Sequence, residues 1–216
     1  MAFDSTKLRE ELADSNPASP AYFELSFGGI PRIFQANGAA DQARKARGER
    51  SQGWENNFQD FKYRCSEADL PSRQLMTQER RYHGPQRLIP YGVVYSTLNV
   101  NLIEGKNLRM RELFDAWQDS IFTPSGTRGD MIYRPQYYDD VVTDLYLDVY
   151  SKDGALVRTY TFTDVFPVSV NPSQLSWSST DQVMTIPIEF SYHEFIGSSK
   201  WDNTTQKGST FVPRNS

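Results

Sequence analysis

A chain of 216 residues with 38% hydrophobic content holds enough apolar material for one sizeable core with appendages. A formal net charge of −4 excludes the concentrated basic surface of a nucleic-acid binder and gives a mildly acidic protein that repels phosphate. The single cysteine, Cys65, excludes an intramolecular disulfide, while 12 Tyr, 13 Phe and 4 Trp favour strands and interfaces.

Residues 4–14 read as a short helix, capped by Asp4 or Ser5 with Leu8 and Leu12 one turn apart. Asn16-Pro17 and Ser19-Pro20 then impose an extended linker, so residues 1–19 form an N-terminal arm ahead of the main domain at 20–195. Residues 21–27 are a strand closed by the Gly28-Gly29 turn. The span 36–57 contains Trp54 as its only large apolar residue and reads as an inserted arm. Its Arg44, Lys45, Arg47 and Arg50 are offset by Asp41, Glu49 and Glu55, which favours a solvated, interface-forming segment over a phosphate grip. Strand character is expected to resume over 58–65 with Phe58, Phe61 and Tyr63.

Residues 69–92 form a long proline-studded loop carrying Arg73, Arg80, Arg81 and Arg87, with Glu79 the one acid between 71 and 89. Excursions of that length inside a small β-domain are usually functional. The next strand spans 94–103, with Val94, Leu98, Val100 and Leu102 on one face and Tyr95, Thr97, Asn99 and Asn101 on the other. Met110, Leu113, Phe114, Trp117 and Ile121 recur at helical spacing and predict a helix over 107–121, capped by Asn107, with Leu113, Phe114 and Trp117 turned to the core. Pro124-Ser125-Gly126 ends it, and a loop runs to Asp139-Asp140, which are read as strand neighbours on opposite faces. Two strands, 141–150 and 155–163, meet at Asp153-Gly154, a strong hairpin signal. Phe166-Pro167, Asn171-Pro172 and the polar run at 178–181 break the ladder. A long final strand follows, with Met184, Ile186, Ile188, Phe190 and Tyr192 inward. Residues 196–216 are a polar tail with Trp201 and Phe211 as anchors.

Signatures of catalysis are missing: no nucleophile elbow, Walker loop or dinucleotide fingerprint occurs. His83 and His193 lie on different elements and lack partners at metal-ligand spacing, and Cys65 reads as a packing residue. No catalytic, cofactor or metal site is expected. The polar N-terminus lacks a signal-peptide core, and no apolar run approaches the ~20 residues that span a bilayer, so a soluble protein without membrane partners is expected.

Several landmarks occur in a particular order. A Phe-rich strand (Tyr22-Phe23-Glu24-Leu25) comes first, then Cys65-x(4)-Leu70-Pro71 before a long loop, and a strand leading to a helix with Phe114-x-x-Trp117. A Tyr-rich strand pair follows, and last the block from Phe166-Pro167 through Leu175-x-Trp177 to the alternating final strand. From about Pro20 to Phe195 the chain resembles the tube proteins of contractile-tailed phages, whose relatives include the tube protein of type VI secretion. The resemblance implies a mainly β fold, an antiparallel β-barrel or sandwich with one flanking α-helix, whose copies merge their sheets into hexameric rings that stack into a hollow tube. It implies a virion structural protein made in the cytoplasm of a bacterial host. Implied partners are the sheath, the baseplate, the tail terminator, and tape-measure protein and genomic DNA as luminal cargo. The longer 36–57 insertion and tail, and Pro187 within the last strand, leave open a tube-initiator ring at the baseplate; a monomeric β-barrel module for carbohydrate is the rival outside the family. For stacking, the arginines Arg73, Arg80, Arg81 and Arg87 are expected to meet the acidic stretch Asp139, Asp140, Asp144 and Asp148 of a neighbouring copy.

Overall fold

The computed structural model describes residues 21–35, 54–81, 84–125, 132–173, 175–176 and 183–199. The expected helix at 4–14, most of the inserted arm, His83, Trp177, the 178–181 run and the tail anchors lie outside the described residues.

Folding is organised by the hairpin at Asp153-Gly154. Strand β8 (Thr143–Tyr150) and strand β9 (Leu156–Val170) pair antiparallel from Tyr150↔Leu156 to Thr143↔Val165. Gly154 holds φ 77, a conformation that side chains resist, and its N–H donates to Ser151 O at 2.9 Å. Leu145, Leu147 and Phe162 point to the core, as alternation requires.

At 15 residues β9 is long enough to serve two sheets. Its first half lies between β8 and β11 (Glu194–Ser199), and its second half pairs with β10 (Thr185–Ser191). The bend between the halves is at Asp164, whose φ of 53 turns the strand. The expected break at Phe166-Pro167 is therefore displaced: both residues stay in the strand, opposite Ser191 and Phe190, beside a bulge at Glu189/Phe190. The full strand path is β1-β8-β9-β10-β5-β2, where β1 is Phe23–Phe27, β2 is Cys65–Ala68 and β5 is Leu98–Ile103. Every described pairing is antiparallel. Ile186, Ile188 and Phe190 bury as expected. The final strand, however, breaks after Ser191, Tyr192 still buried, and the chain crosses to the other sheet as β11.

Pro187 sits inside β10 with strands on both sides. One step beyond the Ile188↔Val170 pair, Asn171 N–H donates to Pro187 O at 2.9 Å, and proline has no N–H to return the bond. Arg111 Nη1 donates to the orphaned Asn171 carbonyl at 3.3 Å instead.

The 58–65 strand is not formed. Helix α1 spans Trp54–Arg64, because Trp54, Asn57, Phe58 and Phe61 recur at helical spacing and bury one stripe, leaving Tyr63 outside. Among the described residues this helix joins the expected one, giving two long helices. The second, α2 (Arg109–Ile121), buries Met110, Leu113, Phe114 and Trp117 as predicted. Its start differs: Leu108, at φ 50, takes the cap position instead of Asn107. The Glu104 carboxylate accepts the N–H groups of Met110 at 3.3 Å and Arg111 at 3.0 Å. Residues 94–103 are two strands, parted at Ser96-Thr97, and Val94 is exposed. The loop after α2 contains a hairpin of β6 (Phe122–Ser125) and β7 (Ile132–Pro135), followed by the one-turn helix α3 (Tyr138–Val141) that carries Asp139 and Asp140. Those two acids are thus helical, not alternating strand residues.

Between the sheets and the two longer helices lies an aromatic core. The Phe27 ring stands 4.4 Å from Phe61 and 5.7 Å from Trp117 (centroids), while Trp117 also meets Phe34, Phe58 and Phe114. Trp117 is fully buried and donates from Nε1 to Val141 O at 3.0 Å. Trp117→Ala is expected to lower stability by ~3–5 kcal/mol through the lost ring and the cavity left behind. Denaturant melts of the unassembled protein measure this, and a loss below ~1 kcal/mol contradicts the core assignment.

A candidate assembly surface

The segment expected as a loop is a β-ribbon. Strands β3 (Arg73–Arg80) and β4 (Arg87–Tyr95) pair from Arg73↔Tyr95 to Arg80↔Arg87, with a bulge at Met76/Thr77 that accommodates Pro90. At the turn Gly84 adopts φ 95 and its carbonyl accepts from Arg81 Nε at 3.2 Å; Gln86 donates to the Glu79 carboxylate. The ribbon forms its own two-stranded sheet, and β3 is exposed along its whole length. Large apolar side chains stand in solvent on both faces: Leu75 at 56% exposure, Leu88 at 64%, Tyr91 at 68%, with Met76, Ile89 and Val93 beside them. An isolated two-stranded ribbon is marginal in water. Sequence reading singled out the arginines and missed these residues. The run after Gly84-Pro85, with Ile89, Tyr91, Val93, Val94 and Tyr95, was the available signal.

The arginines divide between root and tip. At the root, the Arg73 guanidinium lies 5.1 Å from the Phe195 ring centre and 5.6 Å from Tyr95, and Ser72 and Ser96 hydroxyls are 2.7 Å apart. Arg73 is therefore engaged within its own subunit. Arg80, Arg81 and Arg87 are at the tip, with Arg80 directly opposite Arg87.

The four expected acids do not form one stretch. On α3, Asp140 lies 3.6 Å from the Arg32 guanidinium and Asp139 is exposed. Asp144 and Asp148 share the outer face of β8 with Tyr146 and Tyr150. Across the ladder Glu24 of β1 stands directly opposite Asp148. Lys62 Nζ is 3.4 Å from Glu24, and Thr159 Oγ1 donates to Asp148. Burial and then the Asp148 and Glu24 carboxylates raise the Tyr150 hydroxyl above its ordinary range.

A second polar face lies outside the other sheet. Asn99 donates to Asp69 at 2.9 Å, Asn101 to Glu67 at 2.6 Å and Asn171 to Glu189 at 3.2 Å. The strand residues of this face, Glu67, Asn99, Asn101, Thr185, Glu189 and Ser191, include no lysine or arginine.

Elsewhere, Leu113, Phe114 and Trp117 are core and not surface. Burial pushes the Cys65 thiol up to about 12, and His193 is exposed in the turn between β10 and β11. Among the described residues no group of His, Cys, Asp and Glu is arranged to hold a metal ion, and no helix is long and apolar enough to cross a membrane.

A family model described as phage tail tube protein matches residues 18–198. Among solved structures, the chain is similar to one from the 6-fold symmetrised baseplate of the anti-feeding prophage, at 14% identity over 85% of this chain and 96% of that one, with a TM-score of 0.50. It is similar to one from the extended sheath–tube complex of the PVC extracellular contractile injection system, at 16% identity over 92% and 99%, TM-score 0.48. An Hcp protein shares 9% identity over 84% and 99%, TM-score 0.39. No curated protein sequence matches the chain.

Arg73→Leu removes both ring contacts at the ribbon root and is expected to speed amide exchange in β3 and β4 about threefold, leaving the core strands unchanged. Equal exchange in the variant refutes the anchoring role. Half-buried Cys65 is expected to react with a thiol reagent at pH 8 well below the free-cysteine rate, because desolvation raises its thiol and leaves little thiolate there. Stopped-flow labelling at free-cysteine rates contradicts the burial.

Proposed function

We infer that this chain, which belongs to the phage tail tube protein family, works as a structural subunit of a tail tube and not as an enzyme. Six copies close a ring, and rings stack into the inner tube of a contractile tail, within a particle assembled in the cytoplasm of a bacterial host. The sheath wraps the tube, and baseplate and terminator proteins cap its ends. Tape-measure protein and DNA pass through it.

One observation carries this reading: a free-standing ribbon with apolar side chains on both faces. Burial of apolar surface contributes about 25 cal/mol per Å², so such an arm gains most of its stability only when another molecule covers it. A repeated copy of the same chain supplies that cover at every subunit. Strands β1, β2 and β11 each have a strand neighbour on one side only among the described residues, which suits lateral joining of sheets. The amide–carboxylate face of Asn99, Asn101 and Asn171 is the lining in this reading. Its acids are hydrogen-bonded and unaccompanied by cationic strand residues, so a phosphate backbone finds no grip there.

Sedimentation and negative-stain microscopy of the purified protein are expected to give rings or tubes. Persistence as a monomer at high concentration contradicts the proposal. Leu75→Ser with Val93→Ser is expected to leave the melting of the unassembled subunit within ~1 kcal/mol while reducing stacking at least tenfold. Tubes of normal length from that double variant show that the ribbon does not dock through its apolar face.

A further inference from the structure

We propose that the ribbon tip of one copy docks by its Arg80–Arg87 pair on the Glu24–Asp148 pair of a neighbouring copy. This inference rests on the tube reading and specifies the counter-surface for the arm.

Two unfavourable arrangements carry it. Arg80 and Arg87 are directly opposite in the β3–β4 ladder, at the exposed end of the ribbon. Glu24 and Asp148 are directly opposite in the β1–β8 ladder, on the outer face of that sheet. Like charges in directly opposed cross-strand positions destabilise a ladder. Each pair is therefore a local defect that an opposite pair, set at the same cross-strand spacing, relieves. Among the described residues, partial relief inside the subunit is seen on the acidic side, where Lys62 reaches Glu24 and Thr159 reaches Asp148. Asp144, exposed on the same face, adds a further acid. At the tip, Glu79 accepts from Gln86, and Arg81 donates to the Gly84 carbonyl.

The alternatives fit less well. Asp139 and Asp140 are consecutive on a single helical turn and so do not form a directly opposed cross-strand pair. On the other sheet each of Asp69, Glu67 and Glu189 accepts from its own asparagine, so no like-charged pair awaits an external cation. An eight-residue strand carries the tip about 25 Å beyond the root, away from its own sheet. The contact is head-to-tail, tip to face, and so it repeats from copy to copy, closing a ring or running on as a filament according to the rotation between copies.

The test is charge exchange. R80E/R87E and E24K/D148K are made in the full chain, and folding is checked by circular dichroism and tryptophan fluorescence. Each is expected to lose at least about tenfold in polymer at equal concentration, while an equimolar mixture recovers, because every Glu tip then meets a Lys face. Either variant alone polymerising like wild type overturns the proposal, and so does a mixture no better than its components. If E24K/D148K fails to fold, E24Q/D148N replaces it: its mixture with R80E/R87E is expected to exceed R80E/R87E alone, and no gain overturns the proposal. Wild-type protein that forms no rings contradicts the tube reading itself, whereas wild-type tubes with failed charge exchange refute only this pairing.

Discussion

The constraint on which the structure depends is the sharing of β9 between two sheets. A single strand that pairs with β8 and β11 at one end and with β10 at the other must turn between them, and Asp164 supplies that turn at φ 53. A non-glycine residue in the left-handed region costs roughly 1–2 kcal/mol, which the ladders on either side must outweigh. Everything apolar follows from the bend. Leu145, Leu147 and Phe162 on one side and Ile188 and Phe190 on the other face a common interior, and α1 and α2 fill the remaining opening with Phe58, Phe61, Phe114 and Trp117.

Elements whose pattern answers to local rules were legible in the sequence. Asp153-Gly154 between two alternating runs placed the hairpin, and the Met110-Leu113-Phe114-Trp117 stripe placed α2, because turn chemistry and a 3.6-residue period act without reference to the rest of the chain. Residues 58–65 were misread because Phe58, Phe61 and Tyr63 fit a strand almost as well as a helix when Trp54 is counted with the preceding polar insertion. Including Trp54 restores the helical stripe. The cap of α2 was misassigned for a different reason. Glu104 is six residues before Met110, outside any local capping window, and reaches the helix only because Leu108 reverses the chain.

The candidate surface was half legible. Length and proline content singled out 69–92, and three of its four arginines stand at the ribbon tip, but its order comes from pairing that a loop reading does not supply. The acids proposed as one counter-stretch are adjacent only in sequence. A one-turn helix carries the first pair and alternation on β8 carries the second, so Glu24, distant in the chain, becomes the real companion of Asp148. Cross-strand neighbours of this kind are fixed by register, which composition and local spacing do not contain.

Pro187 has a consequence for how faithfully the sheet forms. With its imide nitrogen at the last position of the β9–β10 ladder, where the Arg111 guanidinium substitutes for the missing donor, the strand loses nothing in its native alignment. Sliding β10 so that Pro187 moves toward Val170 brings the proline into the ladder interior, where a carbonyl is left without a donor, and a slip of one residue in either direction turns Ile188 and Phe190 outward. The residue therefore acts as a ratchet tooth against misalignment. In the proposed tube, where every copy must take one shape, such a stop counts for more than one additional hydrogen bond.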